Sequence, residues 1–186
     1  MANNNAENVS VGKPKSNGAI FAAPSGTDLP TDATTALAAA FVNLGYISED
    51  GVTNEIETDT EEIKAWGGDI VANPQTSRSE KFTYTLIEQN EEAFKHVFGK
   101  DNVSVDSSTH AITIKHNGNE REENVIVIET VLSGKKIKRI AIPRGKVSEI
   151  GEIVYKDDEA IGYEVTVQAL LDSTGNTAYE YIAATE

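Results

Sequence analysis

Residues 77–99 read SRSEKFTYTLIEQNEEAFKHVFG, and two periods meet inside them. From residue 81 to 87 the chain alternates. Phe82, Tyr84 and Leu86 fall on one face, and Lys81, Thr83 and Thr85 fall on the other. That period of two, carried by aromatic and β-branched residues, predicts a half-buried strand. The period then lengthens. Glu88, Glu91 and Glu92 place negative charge where a helix N-terminus favours it. Ala93, Phe94, Val97 and Phe98 follow at helical spacing, and Gly99 is a C-terminal stop. Most of the remaining chain reads as strand or loop, so this helix is expected to cover one face of a β-sheet core.

The flanking sequence supplies the strands. Residues 103–105 and 112–114 read as the two arms of a hairpin turned by residues 106–109. Residues 116–123 form a polar turn containing Asn117-Gly118, a strong reversal signal. Residues 124–132 (NVIVIETVL) are apolar on both faces, as a central strand buried on both sides requires. A strand at 135–143, a turn at Arg144-Gly145-Lys146 and a further strand at 147–155 are expected next. Residues 161–171 alternate, with Tyr163, Val165, Val167 and Ala169 on one side, and residues 179–183 make a last short strand. Towards the N-terminus, residues 18–23 (GAIFAA) suggest an edge strand closed by Pro24. The Ala-rich patch at 34–41 suggests about two helical turns capped by Thr31 or Asp32. Short strands, with turn signals every ~8–12 residues, predict a mainly β fold. The expected architecture is two packed antiparallel sheets, sandwich- or barrel-like, flanked by one α-helix. A polar arm at 1–18, one domain at 19–178 and a C-terminal arm at 179–186 complete the division.

The 186 residues suit one domain with a sizeable core. No run of ~18 apolar residues is present, so no membrane span is expected. The first residues, MANNNAENVSVGKPK, lack the apolar core of a signal peptide. The absence of cysteine excludes disulfides and thiolate metal sites and fits a reducing cytoplasm. A formal charge of −14 disfavours binding along nucleic-acid phosphates.

Charge is unevenly spread. Residues 133–148 hold no acid and six bases: Lys135, Lys136, Lys138, Arg139, Arg144 and Lys146. Two readings stand: a solvated hairpin, or a strip that meets an acidic surface on another copy. In residues 52–66 (VTNEIETDTEEIKAW), Glu55, Glu57, Asp59 and Glu61 recur at a spacing of two. On a strand they form a row of carboxylates whose mutual repulsion demands water. That row suits either a plain solvated strand or the wall of a water-filled space.

No catalytic constellation is found. The chain has no G-x-S-x-G, H-E-x-x-H, phosphate loop or dinucleotide fingerprint. His96 near the helix end reads as a cation favoured by the helix dipole. His110 and His116 lack a third ligand at suitable spacing. Trp66, before Gly67-Gly68, reads as a packing anchor at a strand end. No enzyme activity and no cofactor or metal is expected.

Blocks at 18–52 (GAIFAAPSGTDLPTDATTALAAAFVNLGYISEDGV), 65–88 (AWGGDIVANPQTSRSEKFTYTLIE) and 165–176 (VTVQALLDSTGN) carry a resemblance in preserved order across most of the chain. The sequence resembles the major tail tube proteins of long-tailed, non-contractile bacteriophages of Gram-positive hosts. The resemblance implies two packed sheets and a helix, hexameric rings stacked into a hollow tube, and a virion location. It implies arms that bridge neighbouring copies, and an acidic lumen. That lumen holds the tape-measure protein during assembly and passes double-stranded DNA at infection. Tail-tip initiator and tail terminator proteins are the further partners implied. On that reading Glu55, Glu57, Asp59 and Glu61 are candidates for the lumen wall, with residues 157–159 or Glu164 as competitors. The bases of 135–146 become candidates for contact between rings. The alternative is a β-sandwich binding module of an adhesin or carbohydrate-binding protein. Such modules usually carry a secretion signal and clustered aromatics, whereas aromatics here are 6%.

Overall fold

The computed structural model describes residues 4–184. In chain order the strands are β1 Gly12–Pro14, β2 Ile20–Pro24, β3 Val42–Asn43, β4 Ile47–Thr60, β5 Ile63–Lys64, β6 Ile70–Ala72 and β7 Gln75–Leu86. The helix α1 (Glu91–Phe98) follows, then β8 Val103–Val105, β9 Ile112–Ile114, β10 Asn124–Leu132, β11 Lys136–Ile150, β12 Tyr163–Ala169 and β13 Tyr179–Ala184. Every pairing is antiparallel.

Strand β11 is the spine. One side pairs with β10 from Lys136 to Gly145. The other side pairs first with β13, from Lys136 to Ala141, and then with β12, from Gly145 to Ile150. Nine strands form one hydrogen-bonded sheet that β11 divides into two parts, the first sheet β3-β2-β10-β11-β13 with β1 on β10, and the second sheet β11-β12-β7-β4. Register shifts near Asn124 and Val147 mark where the ladder bends. The two sheets share one core, with Ile20, Ile126, Ile128 and Ile142 facing Phe82, Tyr84, Val165 and Val167. The chain from β3 to β4 crosses between sheets at one side. There Leu44 N–H donates to Ile20 O at 3.0 Å, and Ile87 N–H donates to Tyr46 O at 3.0 Å. That crossing gives the sandwich its barrel-like closure.

The expected turn at Arg144-Gly145-Lys146 is absent, and the expected strands at 135–143 and 147–155 are one strand ending at Ile150. Gly145 sits under Ile126 and Val167. A Cβ there would lie 2.7 Å from Ile126 Cδ1 and 3.1 Å from Val167 Cγ1. Here glycine marks close packing of a strand, not a reversal. Strand β2 is likewise no edge, since it pairs with β10 on one side and with β3 on the other.

Helix α1 matches expectation. Asn90 caps it by accepting from Ala93 N–H, Glu91 and Glu92 occupy its first turn, and Gly99 ends it at φ 92°. Its buried Phe94 and Phe98 meet Tyr163 edge-on, with ring centroids 5.4 and 6.0 Å apart.

The Ala-rich segment 34–41 forms no helix. Asp32 does accept from Thr34 N–H and Thr35 N–H, both at 2.6 Å, as a cap would. The carbonyls that a helix would use are directed elsewhere. Arg139 Nη1 donates to Asp32 O at 2.8 Å and to Thr35 O at 2.9 Å. The segment instead lies as a loop over the outer face of the first sheet, where Leu37 and Phe41 pack on Phe21, Val127 and Ala141. Arg139, 1% exposed, also pairs with Glu129 across the β10–β11 ladder, with Nε at 2.8 Å from Oε1. Lys15, just after β1, reaches the other oxygen of Glu129 at 2.9 Å. Residues 12–14 pair with Leu132, Val131 and Thr130 of β10, so this part of the N-terminal segment lies along the first sheet.

Removing one partner of a buried ion pair costs about 3–5 kcal/mol, because the other charge stays buried and unmatched. Glu129→Ala is therefore expected to lower unfolding free energy by about that amount, measured by chemical denaturation.

Candidate assembly surfaces

Strands β4 and β7 form a long hairpin in register from Val52 opposite Tyr84 to Asp59 opposite Ser77. Its root is packed and its far half is exposed. Glu80, buried on β7, clamps the root. It accepts from Asn54 at 3.1 Å, from Arg78 at 2.9 Å and from Thr177 Oγ1. Burial alone would raise the Glu80 carboxyl, but these donors outweigh it and hold it below its ordinary value.

Glu55, Glu57 and Asp59 occupy successive outward positions on β4, opposite Lys81, Ser79 and Ser77. Asp59 accepts from Ser77 Oγ at 2.7 Å, and Glu57 lies 3.6 Å from Lys81 Nζ. A register shift between Asp59 and Thr60 ends the row, and Glu61 lies beyond the strand. The outward face continues across the second sheet through Thr83 and Thr85 of β7 to Thr166 and Glu164 of β12. Glu164, which competed with the row as a candidate, therefore lies on the same sheet face. Glu159 and Glu164 also line an open groove of about 540 Å³ with Glu49, Asp50 and Glu152. Strand β4 ends the strand order, so among the described residues its outer edge has no strand partner.

The basic strip is not a hairpin and does not form one patch. Arg139 is buried against Glu129, as described above. Lys138 pairs with Glu180 at 2.8 Å, Arg144 with Glu123 at 2.8 Å, and Lys146 with Glu120. Lys135 occupies the turn before β11 with φ 54°, and Lys136 begins the strand opposite Leu132 and Ala184. Strand geometry disperses what the sequence places together, because successive residues point to opposite faces.

Trp66 is no packing anchor within the chain. It is fully exposed at the hairpin tip, where Ala65 N–H donates to Asp69 O at 2.8 Å and closes the turn. Ile63, Ile70 and Val71 of the short β5–β6 ladder are exposed beside it. The strand continues past the body of the fold, so nothing among the described residues covers these side chains.

His96 is not a cation at a helix end. It is buried, its ring stacks on Tyr84, and Tyr84 Oη lies 2.7 Å from Nε2. Burial pushes the phenol up and the imidazole down to about 4, so both are neutral near pH 7. The imidazole tautomer decides whether the phenol O–H donates to Nε2 or Nε2–H donates to the phenol oxygen. Nδ1 has no partner among the described residues.

The sandwich thus presents an unpaired strand edge, an acidic face and an exposed apolar arm. The chain belongs to the phage tail tube protein family: the family model described as "Phage tail tube protein" matches residues 1–186. That family is structural and not known for catalysis, and membership makes the chain a component of the virion tail that assembles into a tube with other tail proteins. Among solved structures, the chain is similar to the anti-feeding prophage cap, a tube terminating cap. The identity is 11% and the TM-score 0.48, over 97% of this chain and 97% of that one. No curated protein matches.

The folded His96 has a value of about 4, below the ~6.5 of an unfolded histidine. Unfolding therefore takes up a proton between those values, and stability falls as pH drops through that window. At about 1.4 kcal/mol per unit the loss approaches ~3 kcal/mol. His96→Gln, which keeps a partner for Tyr84 but does not titrate, is expected to show that much less acid sensitivity when denaturation curves at pH 7 and 4.5 are compared.

Proposed function

We propose that this chain is the repeating subunit of a non-contractile phage tail tube, six copies forming a ring and rings stacking into a hollow conduit. A Gram-positive host goes with that reading. The observation that carries it is the outward face of the second sheet, with Glu55, Glu57, Asp59 and Glu164 beside the unpaired edge of β4, in a chain of this family. An unpaired edge is a hazard in a monomer, and closure against a neighbour removes the hazard. A ring built this way turns one face of the sheet towards its axis. Carboxylates there repel phosphates, so double-stranded DNA passes without being held. Glu61, at the end of the row, belongs to the same lining. The tape-measure protein occupies that lumen before DNA does, and tail-tip initiator and tail terminator proteins bound the tube.

The hairpin of β4 and β7 serves as the arm between copies. Within the basic strip, Lys136 at the start of β11 makes the contact between rings. Lys138, Arg139, Arg144 and Lys146 act within the chain, so salt is expected to shorten tubes only modestly.

Negative-stain microscopy of concentrated protein, or of protein seeded with the tail-tip complex, is expected to show hollow tubes with six-fold end views. A chain that stays small and monodisperse on that seed would sink the reading and favour a β-sandwich binding module. Replacing Glu55, Glu57 and Asp59 by Lys is expected to leave rings intact but give virions that eject DNA poorly, scored as DNA released per particle. Normal ejection would remove the row from the lumen.

A further inference from the structure

The molecule carries a knob and a hole at separate places. The knob is Trp66, the one tryptophan of the chain, fully exposed at the tip of the β4–β7 hairpin. A lone solvated indole on an extended arm wastes the residue type that contributes most when buried at an interface. The hole is a cavity of about 270 Å³ between β2, β3, the 25–41 loop and α1. Ala22, Ala23, Ala40, Val42 and Leu44 line it, so small side chains leave space where a packed surface would have none. His96, whose Nδ1 has no partner among the described residues, is part of the same wall. Ligand pockets start near ~300 Å³, so this volume suits one large side chain better than a free ligand.

Charge agrees with apolar fit. On the rim, Glu92 is paired with Lys95 at 3.0 Å, and Glu122 accepts from Lys100 N–H at 3.3 Å. The Lys100 ammonium is in no ion pair among the described residues. At the knob, Asp69 closes the tip turn that carries Trp66, and its carboxylate is likewise in no ion pair among the described residues. A contact that joins different patches of identical copies propagates instead of closing pairwise. Knob and hole on one chain are such patches.

We infer that Trp66 of one copy seats in the Ala22–Ala40–Leu44 cavity of a neighbouring copy, with Asp69 meeting Lys100 at the rim. This inference rests on the tube reading and names the receptor for its arm.

The natural chain has no cysteine, so two can be introduced without background. Ala65→Cys stands beside the knob and leaves Trp66 in place, and Ala40→Cys stands at the exposed wall of the hole. When Trp66 is seated, the two cysteines of adjacent copies come near the ~4–7 Å Cα separation that a disulfide needs. Mild oxidation of assembled double variant is expected to give a ladder of covalent multimers, where each single variant gives dimers at most. Tubes without a ladder overturn this inference and leave the tube reading standing. Neither tubes nor a ladder on the tail-tip seed overturns both. A second readout uses the single tryptophan. Assembly of the natural chain is expected to blue-shift Trp66 emission and protect it from a soluble quencher. Ala40→Phe, in an exposed loop, fills the hole and is expected to raise the concentration needed for assembly about 30-fold or more, with the unfolding transition unchanged. Unshifted emission in assembled tubes, or normal assembly of Ala40→Phe, overturns the inference.

Discussion

The Glu129–Arg139 pair holds together parts of the chain that sequence distance keeps far apart. It spans the central β10–β11 ladder on its outer face. One further guanidinium nitrogen fixes the 31–35 turn by its carbonyls, and the second carboxylate oxygen fixes Lys15 after β1. Buried charges are costly unless their partners are complete. Here the completion of the pair requires a loop and an N-terminal strand to be in place. The pair therefore works as a specificity device: it makes one placement of the 25–41 loop far better than others. The wall of the Trp66 receptor cavity includes residues of that loop and of β2 and β3, so its shape depends on the same pair.

A second consequence follows from β11. Fifteen residues of continuous strand serve two sheets in turn, with β13 and β12 sharing one side of it. The sandwich is thereby hinged along one strand and closed at the β3–β4 crossing. Its second sheet extends outward as the β4–β7 hairpin, held at the root by Glu80 with Asn54, Arg78 and Thr177. A rigid root and an exposed tip suit an arm that must reach a neighbour at a fixed angle. The carboxylate row lies on that same sheet, so the position of the hairpin tip and the acidic face are set by one element.

The local signals in the chain were legible where one element's own residues decide them. The alternation at 81–87, the acids and apolar spacing of α1, the two-sided run at 124–132 and the alternation at 163–169 all appear where expected. Misreadings came where a distant residue competes. Asp32 begins a cap, but Arg139 takes the carbonyls. Gly145 looks like a turn, but Ile126 and Val167 press on it. His96 looks like a helix-end cation, but Tyr84 and burial hold it neutral. Alternation carries a signal for two buried groups: Glu80 shares the parity of Phe82 on the core face, and Arg139 that of Ala141 on the face under the 25–41 loop.

The sequence by itself determined a mainly β chain with one amphipathic helix, a strongly acidic surface and a resemblance to tail tubes, because periodicity, charge and order of blocks are local or additive. Which bases are spent inside the chain, which acids share a face, that Trp66 is exposed at the hairpin tip, and that a cavity elsewhere is lined by small residues were decided only by tertiary structure. Those properties depend on register, and a strand's partner fixes register through contacts that no single stretch of sequence contains.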